Sequence, residues 1–356
     1  MKLLSASDIR AIDQHLRRLL ERTFNPDNGL APVNEVIRRY VLSGGKRIRP
    51  QLCVWTFLNA AEDATSGAAA LPTSMLDLAC AWELFHAFLL AHDDIIDNAD
   101  TRRDRPSLHR QLASLDGDTK QFGVNLGIVA GDLMFSGAMR LWHEIDLPAD
   151  VYRQELRLFS RIACTTGFGQ AIDICQSHGE LDAVDETLLL REYHWKTAAY
   201  TFEGPMLSAA ILARLDDAAQ VAISRFALAL GQAYQLQNDL LDLSGPAQKG
   251  GDLVQGKRTV TLIRARSLLP PPRRADFDRR LSQLRGANGE AVVLAEALRS
   301  ELRDSGAIEQ TQALIDEFVR KAQAAAQDPA MPARLAGAMI ALMESLRSQY
   351  FTPVSI

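Results

Sequence analysis

Two acidic clusters carry the most specific chemistry in the chain: Asp93-Asp94-Ile95-Ile96-Asp97 and Asn238-Asp239-Leu240-Leu241-Asp242. In an α-helix, residues four apart share a face and lie one turn of roughly 5.4 Å apart along the axis. Asp93 and Asp97 then project together, as do Asn238 and Asp242, with Asp239 beside them. Like charges at that spacing repel by roughly a few tenths of a kcal/mol, a cost that a helix built only for packing has no reason to carry. A divalent cation offsets it. Hard carboxylate oxygens suit Mg²⁺, which takes one or two carboxylates and leaves its other positions to water and phosphate. One such motif alone is common surface decoration. Two of them, each behind a long apolar stretch, are not. Arg102-Arg103 follow the first, and Lys249, Lys257 and Arg258 follow the second. The combination describes a site for an amphiphile with a phosphate head.

The elements that position these residues read as helices nearly throughout. The texture is rich in Ala, Leu, Arg, Glu and Gln and poor in β-branched alternation. Helices are expected over 6–22, 29–42, 47–62, 71–98, 120–144, 149–176, 184–213, 216–243, 256–267, 288–304, 307–327 and 333–350. Ser43-Gly44-Gly45 should end one helix, because glycine accepts the left-handed termination that other residues resist. Pro270-Pro271-Pro272 should expose a loop, and Asp328-Pro329 with Pro332 should separate the last two helices. The stretches 71–98 and 216–243 are too apolar for a surface and read as central helices. The expected fold is all-α: one large helical bundle around a central apolar cavity, a single domain over residues 1–356.

Composition narrows the function. With 356 residues, 47% hydrophobic and 23% charged, the chain can bury a large core under a soluble surface. A net charge of −5 and the lack of a basic tract interleaved with aromatics argue against nucleic acid as a partner. The first twenty residues carry Asp8, Arg10, Asp13 and Arg17, unlike a signal peptide. No run of about 18 apolar residues is free of charge, as a membrane span requires. Residues 76–90 come nearest, and Asp77, Glu83 and His86 interrupt them. Cys53, Cys80, Cys164 and Cys175 sit singly in apolar stretches, which suggests reduced core thiols and a cytoplasmic protein.

Further matches follow in order along the chain: Gly44-Gly45-Lys46-Arg47-Ile48-Arg49-Pro50, Pro106 beyond the arginine pair, Gly169-Gln170-Ala171-Ile172-Asp173, Lys196-Thr197-Ala198, Tyr234-Gln235, and Asp252 to Lys257. Singly, a Gly-Gly-Lys-Arg run is a solvated turn, an Arg-Arg pair is surface, and a histidine on an apolar helix is a satisfied core residue. In this order they resemble the trans-isoprenyl diphosphate synthases, or polyprenyl synthetases, over almost the whole chain from Ser43 onward. The resemblance implies a Mg²⁺-dependent prenyltransferase that condenses isopentenyl diphosphate with an allylic diphosphate. It places Lys46, Arg49, His86 and Arg103 at the diphosphate of isopentenyl diphosphate. Arg102 and Lys257 fall on the allylic diphosphate. Asp93, Asp97 and Asp239 would ligate three magnesium ions, with Asp94 and Asp242 as further metal ligands in the same acidic clusters. Lys196, Thr197 and Gln235 would flank the reacting carbon, and Gln170 and Asp173 would support the cavity. A homodimer is implied as well.

The chemistry so implied needs no Ser/His/Asp or Cys/His arrangement, and the sequence shows none. Ionising an allylic diphosphate separates an anion from a resonance-stabilised carbocation. Metal and cations stabilise the first, oxygen dipoles face the second, and an apolar wall excludes water. Phe88 and Leu89, five and four residues before Asp93, lie roughly 6–8 Å from the metal site along the helix. The resemblance reads a bulky residue there as a floor that stops elongation early. Phe88 therefore points to farnesyl or geranylgeranyl diphosphate, with the balance toward the latter. Three departures from the family pattern stand out. Asn238 replaces an aspartate, Asp104 replaces a glycine after the arginine pair, and the loop with Lys249 before Asp252 is short. Asn238 keeps a class I terpene synthase open as an alternative, although Asp242 and Pro246 stand where such an enzyme needs a hydroxyl and an acid. A non-catalytic subunit of a heteromeric synthase is the other alternative.

Overall fold

The structure, a computed structural model, describes residues 3–24, 28–61, 71–102, 104–178, 184–244, 257–284 and 291–354. They form two compact units. One comprises Met1–Leu158 with Pro205–Leu215, the other Phe159–Gly204 with Asp216–Ile356.

In the first unit, α1 (Ala6–Thr23) starts at Ser5, whose Oγ accepts the Asp8 amide at 3.2 Å, a side-chain N-cap. It buries Ile12, Leu16, Leu19 and Leu20, one stripe at helical spacing. α2 (Ala31–Leu42) ends where expected, at Ser43, and Gly44 and Gly45 follow with φ of 103° and 115°. α3 (Ile48–Ala60) and α4 (Thr73–Ile96) come next, and α4 is buried on most of its circumference. A hairpin of β1 (Thr101–Arg102) and β2 (Arg105–Pro106) pairs Thr101 with Pro106 and Arg102 with Arg105. Then follow α5 (Leu108–Ala113) and α6 (Lys120–Glu144). The first ten residues of α7 (Ala149–His178) and most of α9 (Gly204–Leu212) complete the unit. α4 packs on α3, on α1 and along α6. Trp82 meets Trp142 edge-on at 5.1 Å in this core. α4 and α6 are each long and apolar enough to cross a membrane by composition, but 72% of the apolar stretch of α4 is buried inside the protein, as in a core helix.

In the second unit, α8 (Glu186–Glu192) is capped by Asp185, whose Oδ1 accepts the Thr187 amide at 2.9 Å. It passes into a π-helical segment, Tyr193–Glu203. α10 (Asp217–Ser244) packs on that segment and on α14 (Ala307–Ala326). Around these lie α11 (Val260–Leu268), α12 (Pro271–Leu284), α13 (Ala291–Ser305) and α15 (Ala333–Gln349).

The all-α expectation holds, and four local readings need correction. The helix expected over 184–213 is interrupted by the wider π turns. Pro271 and Pro272 begin a helix instead of a loop, because a first-turn proline gives up an amide that has no partner there anyway. The hairpin and α5 are too short for a periodic signal. Cys53 and Cys80 are buried thiols, but Cys164 and Cys175 are exposed on α7.

Candidate functional site

The first acidic motif occupies the last turn of α4, where the helix dipole already concentrates partial negative charge. Asp97 caps the helix, its amide donating to the Asp93 carbonyl at 2.8 Å. Asp94 is fully buried. Arg102, delivered by the hairpin, donates from Nε to Asp94 Oδ1 at 2.5 Å and reaches Asp93 Oδ2 at 3.3 Å. Asp94 Oδ2 has no hydrogen-bond partner among the described residues. Burial pushes the Asp94 carboxyl up to about 6, against the pull of Arg102 and with a further push from Asp93 and Asp97. Asp94 thus turns inward to hold the guanidinium, while Asp93 and Asp97 stay half-exposed. Asp104 sits at φ 59°, the left-handed conformation that makes glycine usual there and that aspartate tolerates. Arg103, Lys249 and Asp252 lie outside the described residues.

A narrow cleft beside the motif is lined by Tyr40, Glu83, His86, Leu90, Arg102 and Arg105, among others. His86 and Arg49 are buried, whereas Lys46 stands exposed in the turn before α3. The middle cation of that run behaves differently. Arg47 adopts φ 46° and is buried, donating to Glu83 Oε1 at 2.6 Å, to Asp13 Oδ1 at 3.2 Å and to the Val41 carbonyl at 3.0 Å. It ties the Lys46–Arg49 turn to α4 one turn before His86. Sequence reading passed over this pair, because three basic residues within four positions give no sign of which one turns inward. Phe88 is half-buried among Phe85, Phe135 and His92, with ring centroids 5.7, 5.2 and 4.9 Å away. Phe135, from α6, is the neighbour that sequence alone did not supply.

In the second unit the π segment carries Lys196 and Thr197. Gly169 of α7 lets it close in: a Cβ there would lie 2.4 Å from the Lys196 amide nitrogen. Lys196 is ion-paired with Asp173 of α7. Thr197 Oγ1 donates to Gln235 Oε1 at 3.1 Å, and Gln235 Nε2 donates to Asp239 Oδ1 at 2.7 Å. The buried Tyr193 hydroxyl donates to Asp239 Oδ2 and accepts the Val260 amide at 3.3 Å. Lys196, Thr197, Gln235 and Asp239, 43 residues apart in sequence at their extremes, are thus brought together. Asp242 is half-buried in the same last turns of α10. Glu192, which sequence analysis did not single out, is buried among these groups. Burial lifts its carboxyl well above the ordinary range, Asp173 and Asp239 push it further, and Lys196 and Lys257 oppose them. The half-buried Lys257 is therefore within electrostatic reach of the cluster.

Among the described residues no three His, Cys, Asp or Glu side chains converge into a ready-made metal cage. The donors that are present still fit Mg²⁺. They are hard oxygens, one or two per cluster, in the arrangement of an ion whose remaining positions are filled by water and phosphate.

The sequence matches the family described as polyprenyl synthetase over residues 31–297. The chain belongs to this family. As a polyprenyl synthetase it is a prenyltransferase that elongates a short allylic diphosphate with isopentenyl diphosphate. It is 30% identical over 301 residues to a farnesyl diphosphate synthase of Geobacillus stearothermophilus, covering 80% of this chain and 92% of that one. A geranylfarnesyl diphosphate synthase of Natronomonas pharaonis is 31% identical over 242 residues, covering 64% of this chain and 67% of that one. Among solved structures, the geranylgeranyl pyrophosphate synthase of Corynebacterium glutamicum, complexed with isoprenyl diphosphate and magnesium, superposes with a TM-score of 0.80 at 27% identity, covering 96% and 99% of the two chains. This polyprenyl synthetase therefore shares the helical fold of the isoprenyl synthases. The family match also weighs against the terpene synthase alternative.

Proposed function

We propose that this synthetase makes farnesyl or geranylgeranyl diphosphate, using Asp93, Asp97 and Asp239 to hold up to three magnesium ions. The observation that carries the reading is that each acidic motif is already wired to the polar groups the reaction needs. Arg102 sits on Asp93 and Asp94, and Thr197 connects through Gln235 to Asp239. Magnesium, when bound, would neutralise charge developing on the departing diphosphate. The chain's own groups do the rest. Lys46, Arg49, His86 and Arg103 bind isopentenyl diphosphate, and Arg102, Lys196 and Lys257 receive the allylic diphosphate. Thr197 and Gln235 turn oxygens toward the carbocation, and the apolar wall with Phe88 excludes water and limits tail length. Asp94 orients Arg102, and Asp242 supports the second motif.

The family match spans parts of both compact units, which supports treating the chain as one functional domain. A homodimer is proposed on the exposed apolar face of α6, where Ile128, Val129 and Leu133 are 44, 51 and 40% exposed. Cytoplasmic placement is supported by four free cysteines. The test is incubation with isopentenyl diphosphate, Mg²⁺ and each of dimethylallyl, geranyl and farnesyl diphosphate. No extension of any primer would sink the proposal, and a cyclised hydrocarbon would favour a terpene synthase.

A further inference from the structure

Asn238 is the departure that makes the second acidic motif look incomplete, and the structure gives its amide a partner. Tyr350, where α15 ends, donates its hydroxyl to Asn238 Oδ1 at 2.5 Å. The Tyr350 ring is stacked on Tyr234 at 5.2 Å between centroids and 16° between planes. Tyr234 lies one helical turn before Asn238 on α10, so ring and hydroxyl engage the same face. One residue earlier on α10, Gln237 donates from Nε2 to the Thr352 carbonyl at 3.2 Å. Phe351 is buried beside Tyr350, with ring centroids 5.3 Å apart. The end of the chain is thus fastened to α10 through Tyr234, Gln237 and Asn238, immediately before Asp239.

The Asn238 amide has a single oxygen, and the Tyr350 hydroxyl takes one of its two acceptor positions. Being uncharged, it adds no third negative charge to the dipole-loaded end of α10, unlike a carboxylate. Its neighbour Asp239 is held from another side by Tyr193 and Gln235. Consecutive residues of the motif are therefore gripped by two tyrosine hydroxyls from distant parts of the sequence.

We propose that Asn238 is an anchor and not a metal ligand, and that through Tyr350 the C-terminal segment fixes the turn of α10 presenting Asp239 and Asp242. The segment from Tyr350 to Thr352 then sets how well the second motif takes magnesium diphosphate. Tyr350 is a positioning residue, acting through Asn238. The inference rests on the reading that Asp239 takes magnesium.

The test compares the full chain with Tyr350→Phe, Asn238→Ala and the double variant. The probes are MgCl₂ with inorganic diphosphate, followed by the thermal shift they induce, and the Mg²⁺ concentration giving half-maximal elongation. Loss of one net hydrogen bond predicts a roughly three- to tenfold rise in that concentration for either single variant. The double variant should be no worse than either single one, since both remove the same bond. Wild-type behaviour in Tyr350→Phe with impairment in Asn238→Ala would make Asn238 a ligand and overturn the proposal. So would a fall in melting temperature without a change in Mg²⁺ requirement, which is the signature of a packing role alone. If the wild-type chain itself shows no stabilisation by Mg²⁺ and diphosphate, the metal reading of the motif fails and the anchor falls with it. A responsive wild type with an indistinguishable Tyr350→Phe sinks the anchor alone.

Discussion

Replacing Glu155 by glutamine should remove a pH-dependent stability loss from the core of the first unit. Glu155, on α7, is buried with Oε2 accepting the Ser208 hydroxyl at 2.8 Å, and Ser208 in turn accepts the Trp82 indole N–H at 2.9 Å. The Trp142 indole N–H comes near Glu155 without closing a hydrogen bond of normal geometry, so Oε1 has no such bond among the described residues. Burial lifts the carboxyl from 4.5 to about 7, more than the neighbouring donors pull it down. The unfolded chain sheds this proton near 4.5 and the folded chain near 7. Between those values the folded state binds more protons than the unfolded one, so stability falls as pH rises through the window. It is flat below and above. At about 1.4 kcal/mol for each tenfold, the loss amounts to about 3 kcal/mol. Glutamine is neutral throughout and keeps the acceptor for Ser208. Glu155→Gln should therefore gain about 3 kcal/mol on wild type between pH 4.5 and pH 8.5, or about 4 °C in melting temperature for a chain of this length. Denaturant titration of both proteins at the two pH values measures this, and other titrating groups cancel in the difference. An equal gap between variant and wild type at both pH values would refute the reasoning.

Three further outcomes are expected. Phe88→Ala should lengthen the product, read by chromatography of the dephosphorylated prenols, with Phe135→Ala acting in the same direction because the rings touch; unchanged lengths in both would place the floor elsewhere. Arg47→Met strands the buried Glu83 carboxylate and should destabilise the fold by about 3–5 kcal/mol, whereas Arg47→Met/Glu83→Leu should recover most of it; equal losses in the single and double variants would exclude the ion pair as the cause. Chelation with EDTA should abolish elongation and Mg²⁺ should restore it, with activity in excess chelator counting against the metal reading.

Legibility in the sequence followed locality. The last turn of α4 could be read directly, since its acids and apolar face all fall within helical repeats. Family order placed Thr197 and Gln235 in one site, while their hydrogen bond and the helix over Pro271–Leu284 were not legible. What escaped depends on contacts across long stretches of chain. Tyr350 meets Asn238 across 112 residues, and Tyr193 meets Asp239 across 46. No period in the sequence records either contact. Phe135 stands on a different helix from Phe88, and Glu192 is notable only because the fold buries it beside two acids and two lysines. Arg47 was visible but not distinguishable. Its role is fixed by a left-handed backbone that only the structure shows.

The two motifs differ in how their negative charge is met, and this bears on what a missing aspartate means. At the end of α4 a full cation, Arg102, sits on Asp93 and Asp94. On the proposed metal reading, an incoming ion would share Asp93 with Arg102, while the fully buried Asp94 holds the arginine. At the end of α10 an amide from Gln235 and a phenol from Tyr193 donate to Asp239. Neutral donors fix a carboxylate in place without cancelling its charge, so Asp239 keeps its attraction for a cation. A second ionised group at position 238 would add repulsion at a helix terminus that already carries Asp239 and Asp242. An asparagine tied to Tyr350 avoids that repulsion and adds rigidity. On this view the substitution does not weaken an otherwise ordinary site. It exchanges one unit of charge for a fixed turn, and the Mg²⁺ requirement of Tyr350→Phe measures how much that turn matters.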